Sequence, residues 1–269
     1  YHYLGLEKII EAYQVDIVGR YSGDSERELQ TYWALHESDT GEEILPAMAR
    51  VFNAMGGAVK KGARLVRLHE NTVLFDNSID VGGTIFRNKL IALSPSGVSV
   101  EKYTDTLRSS LPSREGERLT HLKRADHNLI AAALWVQVNE IKVLLGSDVE
   151  KGSHNQTGWK GILSIPGRPD LIVDAIKVAH HGSSGAHHQE AWNLHKTKNP
   201  IAVVTPYCKG KKKLPENSDL VRIRDLSSRV GITGQYQFES PSDHYSQVIT
   251  RNASFTFQGL EIRTKTTSA

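Results

Sequence analysis

The sequence predicts an α/β sandwich, and three observations lead there. Short β-rich apolar runs alternate with stretches of helical periodicity along most of the chain. Many of those runs stop at Gly, Asn, Asp or Pro, the residues that end strands and open turns. The longest apolar run, Leu129 to Val136, has the length of a buried strand and falls well short of the ~20 residues that cross a bilayer.

The elements follow in order. Leu6, Ile9, Ile10 and Tyr13 recur at helical spacing, which predicts an amphipathic helix over 6–14, and Val15 to Val18 then read as a short strand. Residues 20–41 are polar and are expected to form a loop with a variable helix. Thr40 followed by Glu43 has the spacing of a capping box. Beyond it Ile44, Met48, Val51, Phe52 and Met55 share one helical face, with Gly56-Gly57 expected to end the helix. Between 63 and 93, Leu65 to Leu68, Thr72 to Phe75 and Leu90 to Leu93 are strand candidates separated by turn residues. Ser94-Pro95-Ser96 interrupts the pattern, and a polar helical stretch is expected to about Leu122.

Leu129 to Val138 and Glu140 to Leu145 are predicted strands with Asn139 as a tight turn between them. Ile172 to Val178 and Ile201 to Thr205 are two more. Helices are expected at about 155–164, 187–196 and 217–229, and 233–264 returns to β patterning. Residues 1–269 read as one domain, with 233–269 a β-rich extension of it.

Composition narrows the chemistry. A chain of this length buries a substantial core, and a formal charge of +3 is too small to announce a nucleic-acid binder by itself. Cys208 is the single cysteine, which excludes an intramolecular disulfide and a cysteine-based zinc site. The twelve histidines therefore carry any metal chemistry, and the cysteine usage fits a reducing cytoplasm. The first residues lack the basic and apolar segments of a signal peptide. Tyr1-His2-Tyr3-Leu4-Gly5-Leu6 reads like the middle of a domain, so preceding sequence is expected.

Two segments carry chemistry. Val143-Leu144-Leu145-Gly146-Ser147-Asp148 runs an apolar strand into Gly-Ser-Asp, placing one carboxylate at the strand's carboxyl end. Lys177-Val178-Ala179-His180-His181-Gly182-Ser183-Ser184 runs another strand into paired histidines. In α/β folds the carboxyl ends of strands place ligand and catalytic groups, so Asp148 and His180–His181 can converge on one metal site. Imidazole nitrogen with carboxylate oxygen suits zinc, manganese or iron. Taken singly, each signal has a plainer reading. Asp148 can be a turn former, the histidines solvated, and Gly182-Ser183-Ser184-Gly185 a flexible turn. Lys209-Gly210-Lys211-Lys212-Lys213 offers four lysines after the Ile201 strand that could neutralise phosphates; alone, a lysine run reads as a solvated loop.

The order Leu144 to Asp148, a helical interval, then Asp174-Ala175-Ile176-Lys177-Val178-Ala179-His180-His181-Gly182-Ser183 resembles the hydrolase domain of the ComEC-type competence proteins, within the metallo-β-lactamase fold. Val59 to Leu65, Leu93-Ser94-Pro95-Ser96, Asn128 opening the Leu129 strand, and Pro200 to Thr205 followed by Lys213-Leu214-Pro215 resemble the same family. The resemblance spans about 2–235.

It implies an αββα sandwich incomplete at its N-terminus, because the first strands and most of the main histidine motif are not in the chain. His2 sits where that motif's last histidine belongs, and Tyr1 stands where the family has Asp. The resemblance implies two divalent ions, zinc or manganese. Asp148 would bridge them, His181 or His180 would be the late histidine ligand, His2 would end the main motif, and His127 or Asn128 would take the middle position. It implies Ser183 as a phosphate-contacting or supporting hydroxyl and Lys177 as structural. His187 and His188 are expected at the exposed start of a helix, and His121, His154, His195 and His244 on the surface.

The activity implied is metal-dependent hydrolysis, foremost of phosphodiesters in DNA or related nucleic acid, with bacterial defence against phage as one setting. Remaining ligands would come from a preceding segment or a larger assembly. Two other readings stand beside it: a hydrolase of esters, thioesters or lactams, and a scaffold or binding subunit with a decayed site.

Overall fold

The computed structural model describes residues 6–21, 45–109, 126–209, 212–233, 255–257 and 260–262. The predicted features at 22–41, the Thr40–Glu43 box, the stretch 110–122, His2, His121, Lys211 and His244 lie outside them. No helix among the described residues is long and apolar enough to cross a membrane.

The early part contains α1 (Leu6–Ala12), β1 (Ile17–Tyr21), α2 (Leu45–Lys60) and β2 (Arg64–Leu68). β1 and β2 pair in parallel, and Val18, Ala58 and Ala63 form a small core with Ile10, Val15 and Met55 packed against it. Gly56-Gly57 does not end α2. The buried face of Val51, Ala54 and Ala58 continues past the pair, and packing outweighs the ~1 kcal/mol each helical glycine costs. The chain turns at Gly62, whose φ of +108° suits glycine.

β3 (Thr72–Val81) and β4 (Thr84–Ala92) form a hairpin longer than the patterning suggests, closed by Gly82-Gly83. α3 (Gly97–Ser109) follows. Leu129–Ile130 are not strand: Asp126 accepts a hydrogen bond from the Asn128 backbone N–H (3.1 Å) and winds His127–Ile130 into a short turn of helix. Strand begins only at β5 (Leu134–Val138), which turns through Asn139 (φ 52°) into β6 (Ile141–Leu145) as expected.

α4 (Gly158–Ser164), β7 (Ala175–Lys177), α5 (Gln189–Lys196), β8 (Ile201–Val204), β9 (Tyr207–Lys209), β10 (Lys212–Leu214), α6 (Asn217–Asp225) and β11 (Arg229–Ile232) complete the fold. Within the lysine run, Lys209 ends β9 and Lys212 and Lys213 open β10, which pairs antiparallel with it rather than forming a plain loop. Of residues 233–269, strands β12 (Phe255–Phe257) and β13 (Leu260–Ile262) are described, and they pair with each other.

The architecture is α/β around one mixed seven-stranded sheet, ordered β11-β8-β7-β6-β5-β4-β3. The β11-β8-β7-β6 half is parallel and the β6-β5-β4-β3 half antiparallel. Leu144, Ile176, Ala202 and Val204 of the parallel half are at most 2% exposed and pack with Trp159 and Ile162 of α4, Trp192 of α5, and Leu220 and Ile223 of α6. Burial of this kind stabilises by about 25 cal/mol per Å² of apolar surface. It also fixes the loops at the carboxyl ends of β6, β7 and β8 to one rigid platform.

His195 is a correction. It lies in this core, 1% exposed, not on the surface. Ala191, Trp192 and His195 share the inner face of α5, and the His195 ring N–H is satisfied by the Leu171 carbonyl at 2.7 Å. Burial lowers its pKa to about 4, so it stays neutral in the interior.

Candidate metal-binding site

The site is built where β6 and β7 end side by side. The Gly146 N–H donates to the Lys177 carbonyl (2.9 Å), and the His180 N–H donates to the Ser147 carbonyl (2.9 Å). Two hydrogen bonds thus tie the Gly-Ser-Asp turn to the His-His-Gly turn. The approach is too close for a side chain at 146: a Cβ there would stand 2.8 Å from both Ala179 N and Lys177 O. Glycine at the end of β6 is what allows the two motifs to touch.

The histidine turn is strained. His180 (φ 47°), His181 (φ 57°) and Gly182 (φ 82°) are three successive left-handed residues, and Ser147 opposite them has φ 49°. Such conformations cost about 1–3 kcal/mol each for non-glycine residues and persist only where surroundings enforce them. Here the enforcement is visible. Arg222 of α6 donates to the Gly182 carbonyl (2.8 Å) while pairing with Asp219 (2.7 Å), and a Cβ on Gly182 would meet Ile223 at 2.9 Å. The strain turns the two neighbouring imidazoles toward different partners.

His181 is buried, its side chain 8% exposed, and its Nε2 lies 3.6 Å from Asp148 Oδ1. Its Nδ1 is 2.9 Å from the Thr205 carbonyl. A carbonyl only accepts, so Nδ1 carries the proton and the Nε2 lone pair faces the Asp148 carboxylate. The Tyr207 ring, at the start of the lysine hairpin, packs on His181 with centroids 5.0 Å apart. His180 faces away, its Nδ1 3.6 Å from Glu150 Oε1 and 3.4 Å from Asn128 Nδ2. Asn128 also donates to Glu150 Oε1 (2.9 Å).

The structure therefore brings Asp148, His180, His181 and Asn128 to one edge of the sheet. His127 is exposed and its Nδ1 meets the buried Tyr103 hydroxyl (2.9 Å), so Asn128 is the member of that pair hydrogen-bonded into the site. Ser183 is half-buried and lines, with His187 and Arg222, a cavity of about 10 Å³. Lys212 and Lys213 are exposed on the hairpin that Tyr207 begins. His187 and His188 are half-buried rather than exposed, and burial lowers the pKa of both. Lys177 is half-buried as well. Burial pushes its ammonium below the ordinary lysine range, and the Asp148 carboxylate draws it partly back.

Glu150 and the Thr205 carbonyl were not legible as site groups. Val149 between Asp148 and Glu150 is 1% exposed, so the two carboxylates flank one inward residue, and that pattern is the signal that could have drawn Glu150 in.

A divalent ion fits the donor chemistry of Asp148 and His181. The imidazole has its far nitrogen tied to a carbonyl, as metal-binding histidines do, and the opposing atoms are too far apart for a hydrogen bond between them. Among the described residues no group of three or more His, Cys, Asp or Glu side chains converges on one ion position. No protein-family model matches the chain, and neither a curated protein nor a solved structure matches it.

Proposed function

We propose that the chain is the later part of a metallo-β-lactamase-like hydrolase of the ComEC type, acting on phosphodiesters of nucleic acid. The observation that carries this reading is the facing of His181 Nε2 and Asp148 Oδ1 at 3.6 Å across adjacent parallel strand ends. Both residues are among those that the family resemblance assigns to metal, His181 with His180 as its alternative.

Asp148 and His181 would hold a divalent ion, zinc or manganese, with Asn128 and His180 beside them and His2 completing the set as the motif's last histidine. When bound, such ions supply hydroxide near neutral pH and clamp the oxygens of an in-line displacement. The chain's own groups do the rest. The Thr205 carbonyl keeps the Nδ1 proton of His181 in place, so the opposite nitrogen stays a donor of electrons rather than protons. The half-buried Lys177 ammonium offsets part of the Asp148 charge from the strand side. Lys209, Lys212 and Lys213 on the hairpin that starts beside His181, together with Lys211 next to them in the sequence, would meet substrate phosphates, and Ser183 would support the anion at the turn.

The test is cleavage of plasmid and single-stranded DNA by the protein with and without added Mn²⁺ or Zn²⁺. The reading expects cleavage that needs the ion and is lost in Asp148→Ala. Ion-dependent hydrolysis of esters, thioesters or lactams with DNA left intact would move the substrate elsewhere on the same chemistry. Absence of bound metal would favour the scaffold reading.

A further inference from the structure

The lysine hairpin after β8 borders the His180–His181 turn on one side. The side toward β6 carries a second group of cations. There the stretches 151–160 and 179–189 lie against each other: the Lys151 N–H donates to the Gly185 carbonyl (3.0 Å), and the Lys160 N–H donates to the Lys151 carbonyl (3.4 Å). Neither stretch contains a carboxylate, and besides the two site histidines they hold Lys151, His154, Lys160, His187 and His188.

The first of these stretches is a built loop. Gly152 (φ +92°) and Gly158 (φ +57°) let it close on itself, because a Cβ on Gly152 would run into the Thr157 carbonyl and one on Gly158 into the Glu150 carbonyl. Thr157 is fully buried and clips the tip: its hydroxyl accepts from the His154 N–H (3.1 Å) and donates to the His154 carbonyl (3.0 Å). The Trp159 N–H donates to the Glu150 carbonyl (3.0 Å) and its ring packs in the core, which returns Lys160 to the base of the loop beside Lys151.

Both ammoniums stand near one imidazole. Burial lowers the pKa of His188, Glu190 raises it, and Lys151 and Lys160 lower it further. Lys89, Lys142 and Lys198 each pair with an aspartate, at 2.7, 2.6 and 2.6 Å. Among the described residues Lys151 and Lys160 pair with no carboxylate. Lys151 is exposed and Lys160 is half-buried. Unpaired ammoniums on a rigid loop, with Glu190 as the acidic neighbour, favour the approach of phosphates.

We propose that Lys151 and Lys160 bind phosphates of a nucleic-acid strand, so that the substrate is a strand lying across the Asp148–His181 site and not an isolated phosphodiester. This rests on the phosphodiesterase reading and names the substrate within it. β7 lies between β6 and β8 in the sheet, so the loop after β6 and the hairpin after β8 stand on either side of the His180–His181 turn. A strand that contacts both is held over the site between them.

The experiment is fluorescence anisotropy in EDTA, which separates binding from cleavage, with a dinucleotide and with a single-stranded DNA of about a dozen nucleotides. It compares wild type, Lys151→Gln/Lys160→Gln and Lys60→Gln/Lys61→Gln over a range of salt, the last removing the same charge at the end of α2. Wild type should bind the longer DNA more tightly than the dinucleotide. Lys151→Gln/Lys160→Gln should weaken the longer DNA about tenfold and lower the slope of log affinity against log salt by about 1.4, or ~0.7 per lost phosphate contact, with a melting temperature near wild type. Lys60→Gln/Lys61→Gln should change neither. Unchanged affinity and slope in Lys151→Gln/Lys160→Gln overturn the proposal. So do equal losses in the two double variants, or a wild type that binds the dinucleotide as tightly as the longer DNA. Any of these results together with ion-dependent cleavage by wild type leaves the hydrolase reading standing. The expected binding pattern without cleavage under Mn²⁺ or Zn²⁺ supports the strand-binding surface and overturns the hydrolase reading.

Discussion

The two halves of the central sheet end differently, and the difference explains where the chemistry lies. In the antiparallel half, β3 and β5 run into tight turns, at Gly82-Gly83 and at Asn139, while β4 runs on into α3. β4 pairs with β5 only over Asn88 to Ala92, so the β3–β4 tip projects past its neighbour, with Val81 and Ile85 61% and 63% exposed. In the parallel half, β6, β7 and β8 each end in a loop at the same edge, and those loops carry Asp148, His180–His181 and the Thr205 carbonyl. Hairpins use their strand ends to reverse the chain. Parallel strands need crossovers, which leave their carboxyl ends free to present side chains to one another.

The largest expected effect that sharpens this contrast is on activity. Asp148→Ala should lower ion-dependent DNA cleavage at least about a hundredfold. Asp80→Ala removes a carboxylate that only accepts the Gly83 N–H (2.8 Å) at the antiparallel tip, and steady-state rates should be unchanged.

Next come two glycines. Gly146→Ala drives a Cβ into the backbone of the neighbouring turn and should cost about 3 kcal/mol, the upper end for overpacking, in denaturant unfolding. Gly83→Ala meets open space and pays only for its φ of 86°, about 1–2 kcal/mol. Equal losses would break the contrast.

His195 gives a pH signature to the parallel half. Its pKa of about 4 in the fold lies below the 6.5 of an unconstrained imidazole, so between those values the unfolded chain binds more protons. Stability from this group is full above pH 6.5 and falls as pH drops toward 4, by roughly 3 kcal/mol at most. His195→Gln should flatten that part of the stability–pH curve; a curve of unchanged slope would remove His195 as its cause.

The smallest effect belongs to the projecting tip. Ile85→Thr should stay within about 0.5 kcal/mol of wild type, because little of the side chain leaves water on folding.

Much of the parallel half was legible in the sequence for a local reason. Apolar runs that break at Gly-Ser-Asp and at His-His-Gly mark strand ends, and strand ends are where those residues lie. Asn139 was legible because a lone turn former between two apolar runs has few other roles. Other features depend on contacts distant in sequence. Glu150 acquires its place through Asn128, 22 residues earlier, and His180, with no periodic signature between them. The capped turn at His127–Ile130 was hidden inside an apolar run, because one Asp126 side chain outweighs the strand propensity of Leu129 and Ile130. Gly56-Gly57 looked like a helix stop, but the face it interrupts is buried on both sides. His195 was the most recoverable miss: it falls on the apolar face of α5 with Ala191 and Trp192, a spacing that argues for the interior.

The most direct test is the amount of Mn²⁺ or Zn²⁺ retained by wild type, Asp148→Ala and His181→Ala after loading and dialysis. The account predicts that wild type holds metal and that both substitutions release the same ion while leaving the fold intact by circular dichroism. Equal metal in all three proteins would contradict it, because Asp148 and His181 would then face each other without sharing an ion.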